Sequence, residues 1–248
     1  MKVLICISHV PDTTSKINFT NNNQEFDKNG VQFVINPYDE FCLTRAIWLQ
    51  EKQGAQVTVL TVGRAEVEPT LRKALAIGAN DAIRIDTDPT DAFYVARQIA
   101  AVVKENNYDL VMAGRESIDY NGGQVPGMLA ALMNWPFINA CVGLEIEGSK
   151  AELIREIDGG KEKIGAALPL VLAGQKGLVE EKDLKIPNMR GIMQARTKPL
   201  VVRQPVDAPQ KTSVGTFEKP APKSAVKMVD AENIAELVRL LHEEAKVI

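Results

Sequence analysis

Histidine is the scarcest chemistry-bearing residue of this chain: only His9 and His242 occur among 248 residues. They have no paired ligand spacing, so a zinc site is not expected. Without a GxSxG elbow, a Ser-His-Asp hydrolase is not expected either. Cysteine is nearly as rare. Cys6, Cys42 and Cys141 are odd in number, far apart and set among apolar neighbours. That pattern suits buried free thiols in a reducing compartment better than a disulfide frame. Aromatics make up 5 % of the chain, and acidic residues outnumber basic ones by 32 to 29. With no basic stripe interleaved with aromatics, no nucleic-acid partner is expected. No apolar run reaches the roughly 18 residues that a membrane helix needs, so a soluble protein without direct membrane insertion is expected. The opening run Val3–Ile7 lacks the length and cleavage site of a signal peptide and reads as a first strand.

What is present is organised around Tyr108–Met133, YDLVMAGRESIDYNGGQVPGMLAALM. Asp109–Met112 reads as a short buried strand ended by Ala113-Gly114, followed by a polar loop to Gly123 and a helix opening near Gln124. A strand, a glycine-bearing loop and a helix N-terminus together can present free backbone N–H groups to an anion. Gly114, Gly122 and Gly123 would let the backbone approach a phosphate where a Cβ would collide. A plain strand-to-helix turn capped by glycine reads the same way. The loop matches neither GxGxxG nor a Walker motif.

The rest of the first half repeats one unit. Lys2–Ile7, Gln56–Val62 and Ala82–Ile85 are further apolar strands, and Pro37–Gln53, Val67–Ile77, Asp91–Asn106 and Gln124–Asn134 are helices. Asn36 is a natural N-cap, Pro37 a natural first helical residue and Gly54 a natural stop. Residues 16–19 and 31–34 are expected to form a hairpin around Asn21–Asn23 and Asn29-Gly30. Strands alternating with helices predict a doubly wound, mostly parallel sheet. Its ligands sit beyond the carboxyl ends of the strands, where Ser8–Thr13, Val62-Gly63, Gly114–Gly123 and the Asn36 helix start gather.

After Trp135-Pro136 the pattern changes. Residues 140–147, 150–156 and 161–167 read as a small antiparallel addition, and Pro169–Leu172 as a return to the main sheet. The α/β domain is expected to span 1–198. Its loop at 184–196 carries Leu184, Ile186, Met189, Ile192 and Met193, which are costly unless covered by the domain itself or by a partner. Residues 199–248 read as an extended, proline-rich arm ending in an amphipathic helix capped by Asp230, suited to docking on another subunit.

NPYDE at 36–40, LRKALAIGANDAIRI at 71–85, AGRESID at 113–119, REIDGG at 155–160 and IPNMRGIMQAR at 186–196 occur in this order. Together they resemble the β subunit of electron transfer flavoprotein through nearly the whole chain. The resemblance implies an adenine-nucleotide alpha-hydrolase-like α/β fold and a heterodimer in which the α subunit carries the redox FAD. In the common type the β subunit holds a structural AMP and performs no bond chemistry. Electrons pass from acyl-CoA dehydrogenases, as in fatty acid β-oxidation, to a membrane quinone oxidoreductase. In a bacterium the compartment implied is the cytoplasm, or elsewhere an equivalent reducing compartment.

Carried over position by position, the family's AMP pocket falls on Cys6, Asn36, Pro37, Tyr38, Asp39, Val62, Gly114, Asp119, Gly122, Gly123, Gln124 and Val125. The match is uneven. The common type has a row of acidic and amide residues where this chain has Tyr120-Asn121-Gly122-Gly123, and a hydroxyl residue where it has Val125. An electron-bifurcating branch of the family places a second FAD here, which oxidises NADH; Gly123–Pro126 partly matches its loop, whereas REIDGG favours the AMP type. Tyr38 and Thr13 lie on segments that approach the α-subunit flavin in the family. The loop 184–196 resembles the family's recognition loop. That implies a dehydrogenase anchor at Ile186, flanked by Pro187, Asn188 and Met189, while packing of Ile186 under its own loop is the plainer alternative. Gln194 and Thr197 stand where the family has methylated lysines. A stand-alone adenylate-binding module like the universal stress proteins is a third reading of the α/β half.

Overall fold

The computed structural model describes residues 1–223 and 225–248. β1 (Lys2–Cys6) is buried on both faces, and β2 (His9–Pro11) follows at its carboxyl end. β3 (Phe19–Thr20) pairs with β4 (Glu25–Phe26), and β5 (Phe33–Ile35) pairs back on β2. The expected single hairpin is therefore two pairings. Asn21, Asn22 and Asn23 all adopt left-handed backbone, with φ of 49°, 54° and 61°. They reverse the chain so sharply that Phe19 meets Phe26, and 33–35 is left for β2.

α1 (Pro37–Gln53) begins on proline and ends at Gly54, whose φ of 68° closes the helix in the left-handed region. β6 (Gln56–Val62), α2 (Glu68–Ile77), β7 (Asp81–Ile85) and α3 (Ala92–Asn106) continue the alternation. β8 (Leu110–Gly114) extends through Ala113 and Gly114, which were expected to end it, because both residues stay paired with β12 (Leu170–Gly174). α4 (Val125–Met133) leads to β9 (Phe137–Glu147), β10 (Lys150–Ile157) and β11 (Gly160–Ala167). β12 then re-enters the main sheet. α5 (Met189–Ala195) lies in the 184–196 loop, β13 (Leu200–Arg203) follows it, and α6 (Ile234–Arg239) lies near the C-terminus. Asn233 caps α6 through the Glu236 amide at 3.2 Å, one turn later than the expected cap at Asp230. The Asp230 side chain instead closes a local turn onto the Glu232 amide.

The nine-stranded sheet has the order β11-β10-β9-β12-β8-β1-β6-β7-β13, parallel from β9 to β13, with β10 antiparallel to both of its neighbours. Side chains alternate across it. Val3, Ile5, Leu110 and Met112 pack towards α1 and α2, whereas Leu4, Cys6, Val111 and Ala113 pack towards α3 and α4. That alternation makes the sheet doubly wound and explains its continuous apolar strands. From β1 the chain runs outward through β6 and β7, then returns to place β8 on the other side of β1. The crevice between β1 and β8 is thus the topological switch point, where such sheets bind ligands. Leu200–Arg203 was expected within the arm but pairs along β7 as an edge strand. Among the described residues, no helix is long and apolar enough to cross a membrane.

Candidate functional site

At the switch point, α1 turns a buried carboxylate towards the ends of both flanking strands. Asp39 accepts the Ser8 amide at 2.8 Å, beyond β1, and the Gly114 amide at 2.6 Å, at the end of β8. Burial pushes its pKa up to about 7, while these two bonds and the Asn36 side chain pull the other way. Asn36 is at the N-cap of α1 but makes no side-chain cap there. Its amide donates to the Glu116 carbonyl at 2.9 Å and its oxygen accepts the Ile118 amide at 3.3 Å. The start of α1 therefore pins the loop after β8 with two side chains, a use the sequence did not reveal. Gly114 is required for this fit: a Cβ there would meet Tyr38 Cβ at 2.5 Å and Asp39 Oδ1 at 2.6 Å. Its lack of a side chain thus serves close approach to α1.

Outside this pinned layer opens a cavity of 1560 Å³. Pro37, Tyr38, Val62, Asp119, Gly122, Gln124 and Val125 line it together, joined by Ser8, His9 and Thr13. Cys6, Asn36, Asp39 and Gly114 are buried behind that wall. Cys6 faces the α3 and α4 layer, and burial holds its thiol far above the ordinary range. Gly123 is exposed, and a Cβ there would come 3.0 Å from the Arg115 carbonyl. The loop before α4 is closed on itself: Ser117 and Gly122 exchange backbone bonds at 3.0 and 3.2 Å, and Asp119 accepts the Ser117 hydroxyl and the Tyr120 amide. His9 stacks on Phe33 with centroids 4.4 Å apart and shares a 2.8 Å hydrogen bond with Thr70. Its ring is held in place even though it borders the cavity.

The cations of the wall are all neutralised locally. Lys28 pairs with Glu66 at 3.9 Å, Lys73 with Glu40 at 2.9 Å and Lys176 with Glu181 at 2.8 Å. An anionic group would therefore depend on backbone donors. The α4 N-terminus supplies these, since Gln124 and Val125 stand on the wall and no side chain caps that helix. Sequence reasoning missed the segment Thr212–Phe217, which also lines the cavity. Its polar, proline-flanked sequence gave no sign that it folds back.

A family model for the electron transfer flavoprotein domain matches residues 25–208. The electron transfer flavoprotein subunit beta of Bacillus subtilis (strain 168) is 36 % identical over 262 aligned positions, covering all of both chains. That of Syntrophomonas wolfei is 32 % identical and covers 94 % of this chain and 92 % of its own. The human subunit beta is 31 % identical over 100 % of this chain and 99 % of its own. The chain belongs to the electron transfer flavoprotein family. These relatives are beta subunits matched over 92–100 % of their length, so the role of this chain lies in electron transfer.

The other family feature expected from the sequence, the recognition loop, contributes no residue of 184–196 to the cavity wall. α2 starts at the cavity, where Thr70 is on the wall, and its last turn packs against α5. The approach is close: a Cβ on Gly191 would collide with the Ala76 carbonyl. Leu184 packs onto the core, and Lys185 donates its amide to Thr44 at 3.1 Å. Asn188 caps α5 by accepting the Gly191 amide at 2.8 Å. Held at both ends, the loop projects Ile186, 81 % exposed, with Met189 and Met193 beside it. Ile186 therefore does not pack beneath its own loop; Pro187 is half-buried at the base.

Proposed function

We propose that this chain is the β half of a heterodimeric electron transfer flavoprotein and holds AMP as a structural ligand in the rim cavity. The observation that carries the reading is the convergence of the loops after β1, β6 and β8, with the start of α1, on one cavity at the switch point. Pro37, Tyr38, Val62 and Val125 offer apolar contact for a base and ribose. Gly122, Gly123 and Gln124 offer open backbone at the α4 N-terminus for a phosphate, and Asp119 holds that loop in shape. The residues present fit an adenylate bound through backbone more than through charge. A ligand that binds only the folded chain stabilises it by about 2.7 kcal/mol at a hundred times its Kd, so AMP acts here as scaffolding.

The redox work belongs to the FAD of the α subunit, whose flavin supplies the one-electron chemistry. This chain supplies the anchor. Ile186 and its methionine neighbours form a small apolar knob that would dock on an acyl-CoA dehydrogenase-type donor. One desolvated aliphatic can dominate so small a transient interface. The anchor keeps the flavin-bearing partner near the donor at high effective concentration, and its weakness allows release towards a membrane quinone oxidoreductase. The chain is then an electron-carrier subunit and not an enzyme.

One observation favours the bifurcating alternative. The cavity exceeds the roughly 300–1,000 Å³ of an ordinary small-molecule site, so it has room for more than an adenylate. Denaturing the purified heterodimer and identifying the released nucleotides by chromatography separates the two readings. One FAD and one AMP per heterodimer supports the first, two FAD and no AMP supports the second, and one FAD with no adenine nucleotide from this chain rejects both.

A further inference from the structure

The wall formed by Thr212–Phe217 belongs to a segment that would otherwise be loose arm, and the chain fastens it at three separate places. Just after β13, Gln98 of α3, almost fully buried, holds Val206 by both backbone groups: its amide donates to the Val206 carbonyl and its oxygen accepts the Val206 N–H, each at 2.8 Å. Farther on, Asp91 divides its carboxylate. One oxygen caps α3 through the Tyr94 amide at 2.6 Å, and the other accepts the amides of Lys211 and Thr212, the latter at 2.8 Å. At the far side of the cavity, Phe217 stacks on Phe19 with centroids 4.7 Å apart, and its amide donates to the Asn23 carbonyl at 2.7 Å.

These fastenings differ in chemistry and lie on different elements, α3, its N-terminal turn and the β3–β4 hairpin. An arm serving only to reach another subunit needs none of them. Together they draw the chain from Val206 to Phe217 past the loop after β7 and across to the loop after β1. Both loops border the same cavity as Gln124 and Val125.

We infer that residues 206–217 are a strap over the nucleotide cavity, with Gln98 and Phe19 as positioning residues, and that a bound adenine nucleotide leaves only when the strap lifts. This rests on the proposed nucleotide reading and adds to it a route and a retaining element. The strap contributes backbone, the hydroxyls of Thr212 and Ser213 and the side chain of Val214 to the wall. None of these groups belongs to the pocket inferred from family resemblance.

The test uses the heterodimer purified with its α subunit, in the wild-type, Gln98→Leu and Phe217→Ala forms. Adenine nucleotide remaining after timed dialysis is measured by chromatography of the denatured protein. Each substitution removes a contact set worth about a tenfold change in rate, so both variants should lose nucleotide about tenfold faster than wild type. Trypsin supplies an independent readout at Lys211, which is followed by Thr212: added AMP should slow cleavage there in wild type and less so in Phe217→Ala. Phe217 lies outside the folded sheet, so its replacement should leave the thermal midpoint in place even if Gln98→Leu lowers it. Unchanged release from Phe217→Ala, with cleavage indifferent to AMP, would overturn the strap while leaving the nucleotide reading intact. A wild-type heterodimer that yields no adenine nucleotide from this chain would overturn both.

Discussion

The two ends of α2 show two ways of preparing a surface. At its start, near the switch point, polar groups turn inward and satisfy one another: Asp39 takes two backbone amides, Asn36 bridges the loop after β8, and each wall lysine has its own carboxylate. The result is a concave, rigid place whose remaining donors are backbone. At its end, near α5, the loop is fastened from beneath, and Ile186, Met189 and Met193 are left apolar and exposed. The first arrangement suits a ligand retained through the life of the protein. The second suits a partner that must leave, because a few exposed aliphatics on a narrow base bury little area.

The comparison is broken most severely at Gly114. Gly114→Ala should destabilise the chain by about 3 kcal/mol, since Tyr38 Cβ is fixed to the helix backbone and the Asp39 carboxylate is held by two amides. Gly122→Ala meets nothing within 4 Å and should stay within about 0.5 kcal/mol. Urea denaturation of both checks this, and equal losses would show that the pinned layer is not rigid.

Next comes Asp39→Ala, which leaves the Ser8 and Gly114 amides unpaired and should cost about 2–4 kcal/mol. This change also carries a pH signature. Because the folded carboxyl is raised to about 7, the native state holds its proton more tightly than the unfolded chain does. Its contribution to stability is full below the ordinary carboxylate range of about 3.9 and is lost as pH rises through the folded value. Melting points from pH 4 to 8 should fall more steeply for wild type than for Asp39→Ala; parallel curves would remove the carboxyl from the account.

At the other end of α2, Gly191→Ala should cost about 1–3 kcal/mol by forcing α5 off the Ala76 carbonyl. Nucleotide content should not change, which chromatography can verify; loss of nucleotide would mean the two ends are coupled. The smallest effect on stability belongs to Ile186→Ala, within about 0.5 kcal/mol at so exposed a position. Electron transfer from an acyl-CoA dehydrogenase should nonetheless slow about tenfold, with flavin content unchanged. Undiminished turnover would retire Ile186 as the anchor.

Most of the sheet could be read from the chain because strands buried on both faces leave continuous apolar runs, and proline and glycine mark the helix ends. Lys2–Cys6, Pro37–Gln53 and Gln56–Val62 lie within a residue of expectation for that reason. The departures occur where side chains act at long range. Leu200–Arg203 is apolar enough for a strand but sits in a proline-rich stretch that reads as an arm, and it pairs because β7 offers an edge. Asn36 looks like a helix cap, and its side chain is used instead by a loop eighty residues away. Nothing local marks Thr212–Phe217 as a cavity wall, since its partners Asp91 and Phe19 lie far back in the chain.

By itself, then, the sequence determined the doubly wound architecture, the family and the set of loops from which a site must be made. Periodicity and turn residues act over a few positions and are written locally. Only the tertiary structure decided which of those residues face the cavity, which serve as pins behind it, and that the arm returns to cover it. Those outcomes depend on which backbone donors and apolar faces remain unpaired once the sheet has formed, a property of the assembled fold and not of any single stretch.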